Sequence, residues 1–98
     1  MLIDTGASDS FLRGQLIDRL ALPTIGYHDV FGFGDTGPVL QYIADLEITL
    51  DEQYRLDDWR LMRLETPYRR VDGILGRDVL VLGRLTLDGP ARTFTLEF

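Results

Sequence analysis

The sequence predicts an all-β domain carrying one or two short helices. Three observations carry this reading. Tyr42, Ala44, Leu46, Ile48 and Leu50 alternate with Ile43, Asp45, Glu47 and Thr49, the period of a strand with one face covered. A second long run, Tyr54 to Leu64, also reads as a strand. The apolar segments are separated by turn residues, above all Gly32-Phe33-Gly34-Asp35-Thr36-Gly37-Pro38, Asp51-Glu52-Gln53 and Asp88-Gly89-Pro90.

Taken in order, Met1 to Ile3 form a short apolar stub. Leu12, Leu16, Ile17 and Leu20 recur at helical spacing, which predicts a short helix over 13–20, ended by Pro23. Thr24 to Phe33 reads as a strand leading into the glycine-rich turn. In the run from Tyr54, Tyr54 and Leu56 share one parity while Trp59 and Leu61 share the other. That slip predicts a β-bulge at Asp57-Asp58. Thr66-Pro67 breaks the chain, and Val71 to Leu75 is short and apolar. Arg77 to Leu82 reads as a one- or two-turn helix, with Asp78 near its positive end and Gly83 as its C-cap. Leu85 to Leu87 and Thr93 to Phe98 then form a hairpin, with Phe94, Leu96 and Phe98 on one face.

Composition narrows the chemistry. A chain of 98 residues accommodates one small domain, so a function needing two lobes must borrow the second from a partner. With no Cys, there is no disulfide framework, thiolate metal site or thiol nucleophile. One histidine, His28, excludes a multi-histidine metal site and argues against a Ser–His triad. All ten basic residues are Arg, so lysine nucleophiles and a P-loop are excluded. The net charge of -6 argues against a nucleic-acid or anionic-membrane surface. No apolar run reaches the roughly 18 residues of a membrane span, and no targeting pattern is present, which predicts a cytoplasmic protein.

Two strings carry chemistry. In Leu2-Ile3-Asp4-Thr5-Gly6-Ala7-Ser8 an apolar strand runs straight into an aspartate, and Gly6 permits a tight turn. The carboxylate is thereby set at the end of a rigid element. The plain alternative is an aspartate that caps a turn. The tripeptide alone is a weak signal, since the chain holds a second one, Asp35-Thr36-Gly37. That copy follows Gly-Phe-Gly and precedes Pro38, and reads as turn chemistry. The second string is Gly73-Ile74-Leu75-Gly76-Arg77-Asp78.

Together the two strings resemble the retropepsin family of aspartic proteases, the retroviral proteases and their cellular and bacterial relatives. The family pattern is two apolar residues and Asp-Thr/Ser-Gly-Ala/Ser, then a glycine-rich flap. Two apolar residues and Gly-Arg-Asp/Asn then open a short helix. All three parts occur here in that order. The resemblance implies a single-lobe acid-protease barrel with a flap hairpin over residues 1–98, lacking the usual N-terminal hairpin because only three residues precede Asp4.

The resemblance also implies site roles. Asp4 is the catalytic aspartate, Thr5 bonds across to the partner's loop, and Gly6 holds the turn. Ala7, Ser8 and the flap residues Gly32, Phe33, Gly34, Asp35 and Thr36 meet the substrate. Ile74, Leu75, Gly76, Arg77 and Asp78 support the loop from behind. The protein would be a homodimer cleaving peptides or proteins without metal or cofactor. Two close carboxylates cannot both ionise cheaply, so the Asp4 pair would share one proton. The charged member would draw a proton from a water, and the protonated member would polarise the scissile carbonyl.

Three departures shape the expectation. Where retroviral members carry an acid four residues after the catalytic one, this chain has Ser8. Arg77 is left with three partners: Asp9, an acid of a partner chain, or a backbone carbonyl. Ala7 stands where pepsin-like enzymes have Ser, which removes a hydrogen bond to the dyad and predicts activity at mildly rather than strongly acidic pH. The short start leaves two alternatives: an inactive retropepsin-fold module for peptide binding or dimerisation, and a truncated fragment of a longer protease.

Overall fold

A computed structural model of the chain describes residues 1–30, 37–50, 52–65 and 71–98. Its elements are β1 (Leu2–Ile3), β2 (Phe11–Arg13), α1 (Gly14–Leu20), β3 (Thr24–Val30), β4 (Gly37–Thr49), β5 (Gln53–Leu64), β6 (Gly73–Leu75), α2 (Arg77–Leu80), β7 (Arg84–Asp88) and β8 (Thr93–Glu97). The architecture is all-β with two short helices. Six strands form one sheet in the order β1-β6-β2-β5-β4-β3, and β7 and β8 form a separate ribbon. The glycine-rich turn from Gly32 to Thr36 and the Thr66-Pro67 break lie outside the described residues.

The order of strands is not the order of the chain. β6 comes late, yet it lodges between β1 and β2. It runs parallel to β1, with Leu2 opposite Ile74, and antiparallel to β2, with Phe11 opposite Ile74. β2 runs parallel to β5 on its other side. β6 is buried on both faces, so it carries apolar residues at successive positions rather than alternating ones. Ile74 packs with Ala7, Phe11, Met62 and Leu64. Leu75 packs on the opposite side with Leu56, Val79, Leu80 and Leu96.

The predicted bulge is present. Ala44 faces Trp59 and Leu46 faces Leu56, so Asp45 alone opposes Asp57 and Asp58. Asp58 takes a positive φ of 52° and donates its N–H to Asp45 Oδ1 at 3.0 Å. Arg55 bridges Asp45 at 3.2 Å and Asp57 at 2.6 Å. The bulge has a packing consequence. Leu56 and Trp59 are three residues apart and would face opposite sides of a regular strand, yet here both join one apolar cluster.

Three sequence expectations need correction. Leu12, read as part of a helical repeat, lies in β2, because the segment is captured between β5 and β6. α1 therefore starts at Gly14 and ends at Leu20, with its C-cap Ala21 in the left-handed region and Pro23 just beyond. α2 ends at Leu80 with Val81 as its C-cap, and Gly83 is no left-handed cap. Gly83 serves close approach instead: a Cβ there would stand 2.3 Å from the Glu97 carbonyl oxygen of β8. Among the described residues, no helix is long and apolar enough to cross a membrane.

Candidate functional site

The loop from Asp4 to Ser10 joins β1 to β2, and the turn from β6 into α2 lies against it. The geometry can be built from backbone bonds outward. Asp4 N–H donates to the Leu75 carbonyl at 3.0 Å, which extends the β1–β6 pairing to the aspartate itself. Ala7 N–H then donates to the Asp4 carbonyl at 3.2 Å, closing a tight turn. Gly6 N–H donates to Asp4 Oδ1 at 2.9 Å, which orients the carboxylate. Arg77 N–H donates to the Ala7 carbonyl at 2.8 Å, tying the start of α2 to the same loop.

Side chains complete the clamp. Arg77 donates from Nη1 to the Thr5 carbonyl at 2.9 Å. This backbone carbonyl is one of the three partners the sequence leaves open for Arg77. Ser10 is fully buried at 0% exposure, and its Oγ serves two partners. It accepts from Gly76 N–H at 2.9 Å and donates to Asp78 Oδ1 at 2.7 Å. Asp78 Oδ2 accepts from Trp59 Nε1 at 3.1 Å. Asp78 makes no side-chain cap on α2; its carboxylate instead links β5 to the Asp4 loop through Ser10. Gly76 must be glycine for reasons of space, since a Cβ would stand 2.3 Å from the Asp9 carbonyl oxygen.

The two strings singled out from the sequence are thus one assembly. Asp4 is half-buried, whereas Thr5, Gly6 and Ser8 are exposed. Ala7, expected beside the substrate, has its methyl group packed among Phe11, Met62, Leu64 and Ile74, so it supports the loop from within the core. Ile74, Leu75 and Gly76 lie buried behind the loop. Gly32, Phe33, Gly34, Asp35 and Thr36 fall outside the described residues. The β3–β4 arms that lead to them are antiparallel, with Val30 opposite Gly37.

The sequence does not mark Ser10 or the Trp59 N–H as parts of the site. Their partners lie 66 to 68 and 19 residues away in sequence, so no local spacing signals them. A further charge pairing lies away from the loop. Arg63 on β5 binds Asp18 of α1 through two bonds, at 2.8 and 3.0 Å, and also bonds Glu65. The Arg63 hydrogen bond holds the Asp18 carboxyl below its ordinary value, and those bonds raise Arg63.

Among the described residues, no group of three or more His, Asp or Glu is placed to hold a metal ion. What the loop offers chemically is a carboxylate at a fixed position, with one oxygen bonded to Gly6 and solvent within reach. Comparison with family models, with curated proteins and with solved structures gives no match.

Proposed function

We propose that the protein is an aspartic endopeptidase of retropepsin type, acting as a homodimer in which each chain contributes Asp4. The observation that carries the reading is the meeting of the two strings. Asp4 sits at the tip of β1, and the 74–78 segment grips its loop through five hydrogen bonds, from Gly76 N–H, Arg77 N–H and Arg77 Nη1 and to the Leu75 carbonyl and Asp78 Oδ1. A general acid or base must hold its position through the reaction, and this loop has little freedom to move.

In this reading the all-β fold is a single protease lobe, and the β3–β4 hairpin is the flap. A second lobe of the same sequence supplies the second carboxylate. The pair holds one proton. The ionised Asp4 takes a proton from a water, whose oxygen attacks the scissile carbonyl carbon. The protonated Asp4 gives its proton to the carbonyl oxygen. Collapse of the tetrahedral intermediate returns a proton to the leaving nitrogen. The peptide lies extended, held by main-chain hydrogen bonds.

The test is Asp4→Asn. The asparagine can keep the acceptor for Gly6 N–H, so fold and association should be unchanged, and cleavage of a peptide library should fall to background. Cleavage by this variant at the parental rate refutes the assignment. A parental chain that binds a statine-type mimic yet cleaves nothing favours the binding-module alternative.

A further inference from the structure

A cleft of about 520 Å³ opens between β8 and the far end of the β4–β5 hairpin, on residues that the Asp4 loop does not use. Its inner wall is apolar. Leu96 is buried there, and Ile48 and Tyr54 are half-buried against the same cluster. Leu50, Phe94 and Phe98 stand around the opening at 45%, 47% and 41% exposure. Large apolar side chains gathered in water beside a cavity, with polar groups around them, mark a binding surface.

Two features say what it binds. Phe98 stacks on Tyr54, with ring centroids 4.1 Å apart and the planes within 4° of parallel. Tyr54 covers one face of the Phe98 ring, and the exposure of Phe98 leaves the other toward solvent. An aromatic face carries negative potential and attracts cations. The second feature is charge. Glu52 and Glu97 line the cleft and are exposed, and among the described residues no Arg or His lines it. Among the described residues neither carboxylate forms an ion pair. Arg55, the base nearest Glu52 in sequence, is held by Asp45 and Asp57. Arg84 stands opposite Glu97 in the register of the ribbon without forming an ion pair with it.

We propose that this cleft binds an organic ammonium ion with an apolar body, a free small molecule. The body lies against Ile48, Tyr54 and Leu96, and the ammonium group is held at the opening by the Glu52 and Glu97 carboxylates and the open face of Phe98. The volume is that of a small-molecule site, about 300–1,000 Å³, so the occupant is not a folded partner. The net charge of -6 adds a longer-range pull on cations. An anion of the same shape meets two carboxylates and no bonded base, and a neutral molecule gains only the apolar wall. No part of the Asp4 chemistry enters, so the proposal and the peptidase reading can fail separately.

Three probes of matched shape separate charge from burial: phenylbutylammonium, phenylbutanol and phenylbutyrate. Each is titrated at neutral pH into the isotope-labelled full chain. NMR shifts of the Ile48, Leu50 and Leu96 methyl groups locate the site and give the dissociation constant. The ammonium should bind about tenfold tighter than the alcohol, with the carboxylate weakest. The double variant Glu52→Gln/Glu97→Gln should bring the ammonium to within about threefold of the alcohol. Phe98→Leu keeps apolar bulk and removes the ring face, so it should weaken the ammonium about threefold and leave the alcohol unchanged. Circular dichroism checks that each variant is folded.

Three probes of equal affinity overturn the proposal. So do shifts centred away from the cleft, no shift at millimolar ammonium, and selectivity that survives loss of both carboxylates. Ammonium binding that weakens as protein concentration rises means that a second copy fills the cleft, and this too overturns it.

Discussion

Replacing Ser10 by alanine tests whether the Asp4 loop is held as described. The side chain is fully buried, and its hydroxyl is the partner of the Gly76 N–H and of Asp78 Oδ1. Alanine removes both bonds and adds no competing group. The two losses differ in kind. Gly76 is buried, so its N–H is left without a partner, which costs about 1–3 kcal/mol. A hydrogen bond to a charged acceptor is worth about 1.5–3 kcal/mol, but Asp78 is only half-buried and keeps its Trp59 bond, so water recovers part of it. The two terms share one hydroxyl and do not add fully, leaving about 2–4 kcal/mol.

For a domain whose total stability is about 5–15 kcal/mol, that loss is large and measurable. With a urea slope of about 1–3 kcal/mol per molar, the unfolding midpoint should fall by roughly 1–3 M while the slope holds. Amide exchange at Gly76 and Asp4 should quicken more than exchange in β3, because the clamp opens locally before the sheet does. A midpoint shift worth less than about 0.5 kcal/mol, or uniform exchange, would refute the argument that Ser10 ties the loop to α2.

Three further outcomes follow from the same structure. Gly76→Ala sets a methyl group 2.3 Å from the backbone oxygen of Asp9, and the backbone there cannot yield as a side chain would; it should cost about 3 kcal/mol or more, and a thermally unchanged variant contradicts the close approach. Asp18→Asn should narrow stability at neutral pH but not in strong acid. Arg63 depresses the Asp18 carboxyl in the folded state, so its contribution is present above the ordinary carboxylate value and fades as pH falls through the depressed one; denaturation midpoints from pH 7 to pH 2 that differ by a constant amount contradict this. Arg77→Gln loses the charged donor to the Thr5 carbonyl at an exposed position, so unfolding should shift by about 1 kcal/mol, read by urea titration, with no shift ruling out the contact.

The parts of the fold legible in the sequence are those set by local pattern. Alternation from Tyr42 to Leu50 marks β4, and the parity change between Leu56 and Trp59 locates the bulge at Asp57-Asp58. The parts set by long-range capture were hidden. Phe11 to Arg13 is three residues long and is a strand only because β5 and β6 hold it from both sides, while the spacing of Leu12 with Leu16 imitates a helix. The candidate site divides in the same way. Asp4 and Gly76 stand in recognisable strings, but Ser10 has no signature, and its hydrogen bonds to the second string span 66 and 68 residues. The methyl group of Ala7 points inward because the turn that exposes Thr5 and Gly6 brings the next side chain onto Phe11 and Ile74, a reversal that residue type alone does not encode.

The site and the ribbon meet in one apolar cluster. Ile3, which ends the strand leading into Asp4, packs in the cluster built on Leu75, and Leu85 and Leu96 of the ribbon pack in it too. Leu75 also supplies the carbonyl that receives the Asp4 N–H. Leu85→Ala, which loosens that cluster from the ribbon side, should therefore reach the strand pair that carries the carboxylate. Exchange of the Asp4 amide should quicken in Leu85→Ala more than exchange in β3, which lies at the far edge of the sheet. Unchanged protection at Asp4 would mean that the ribbon and the loop are mechanically separate.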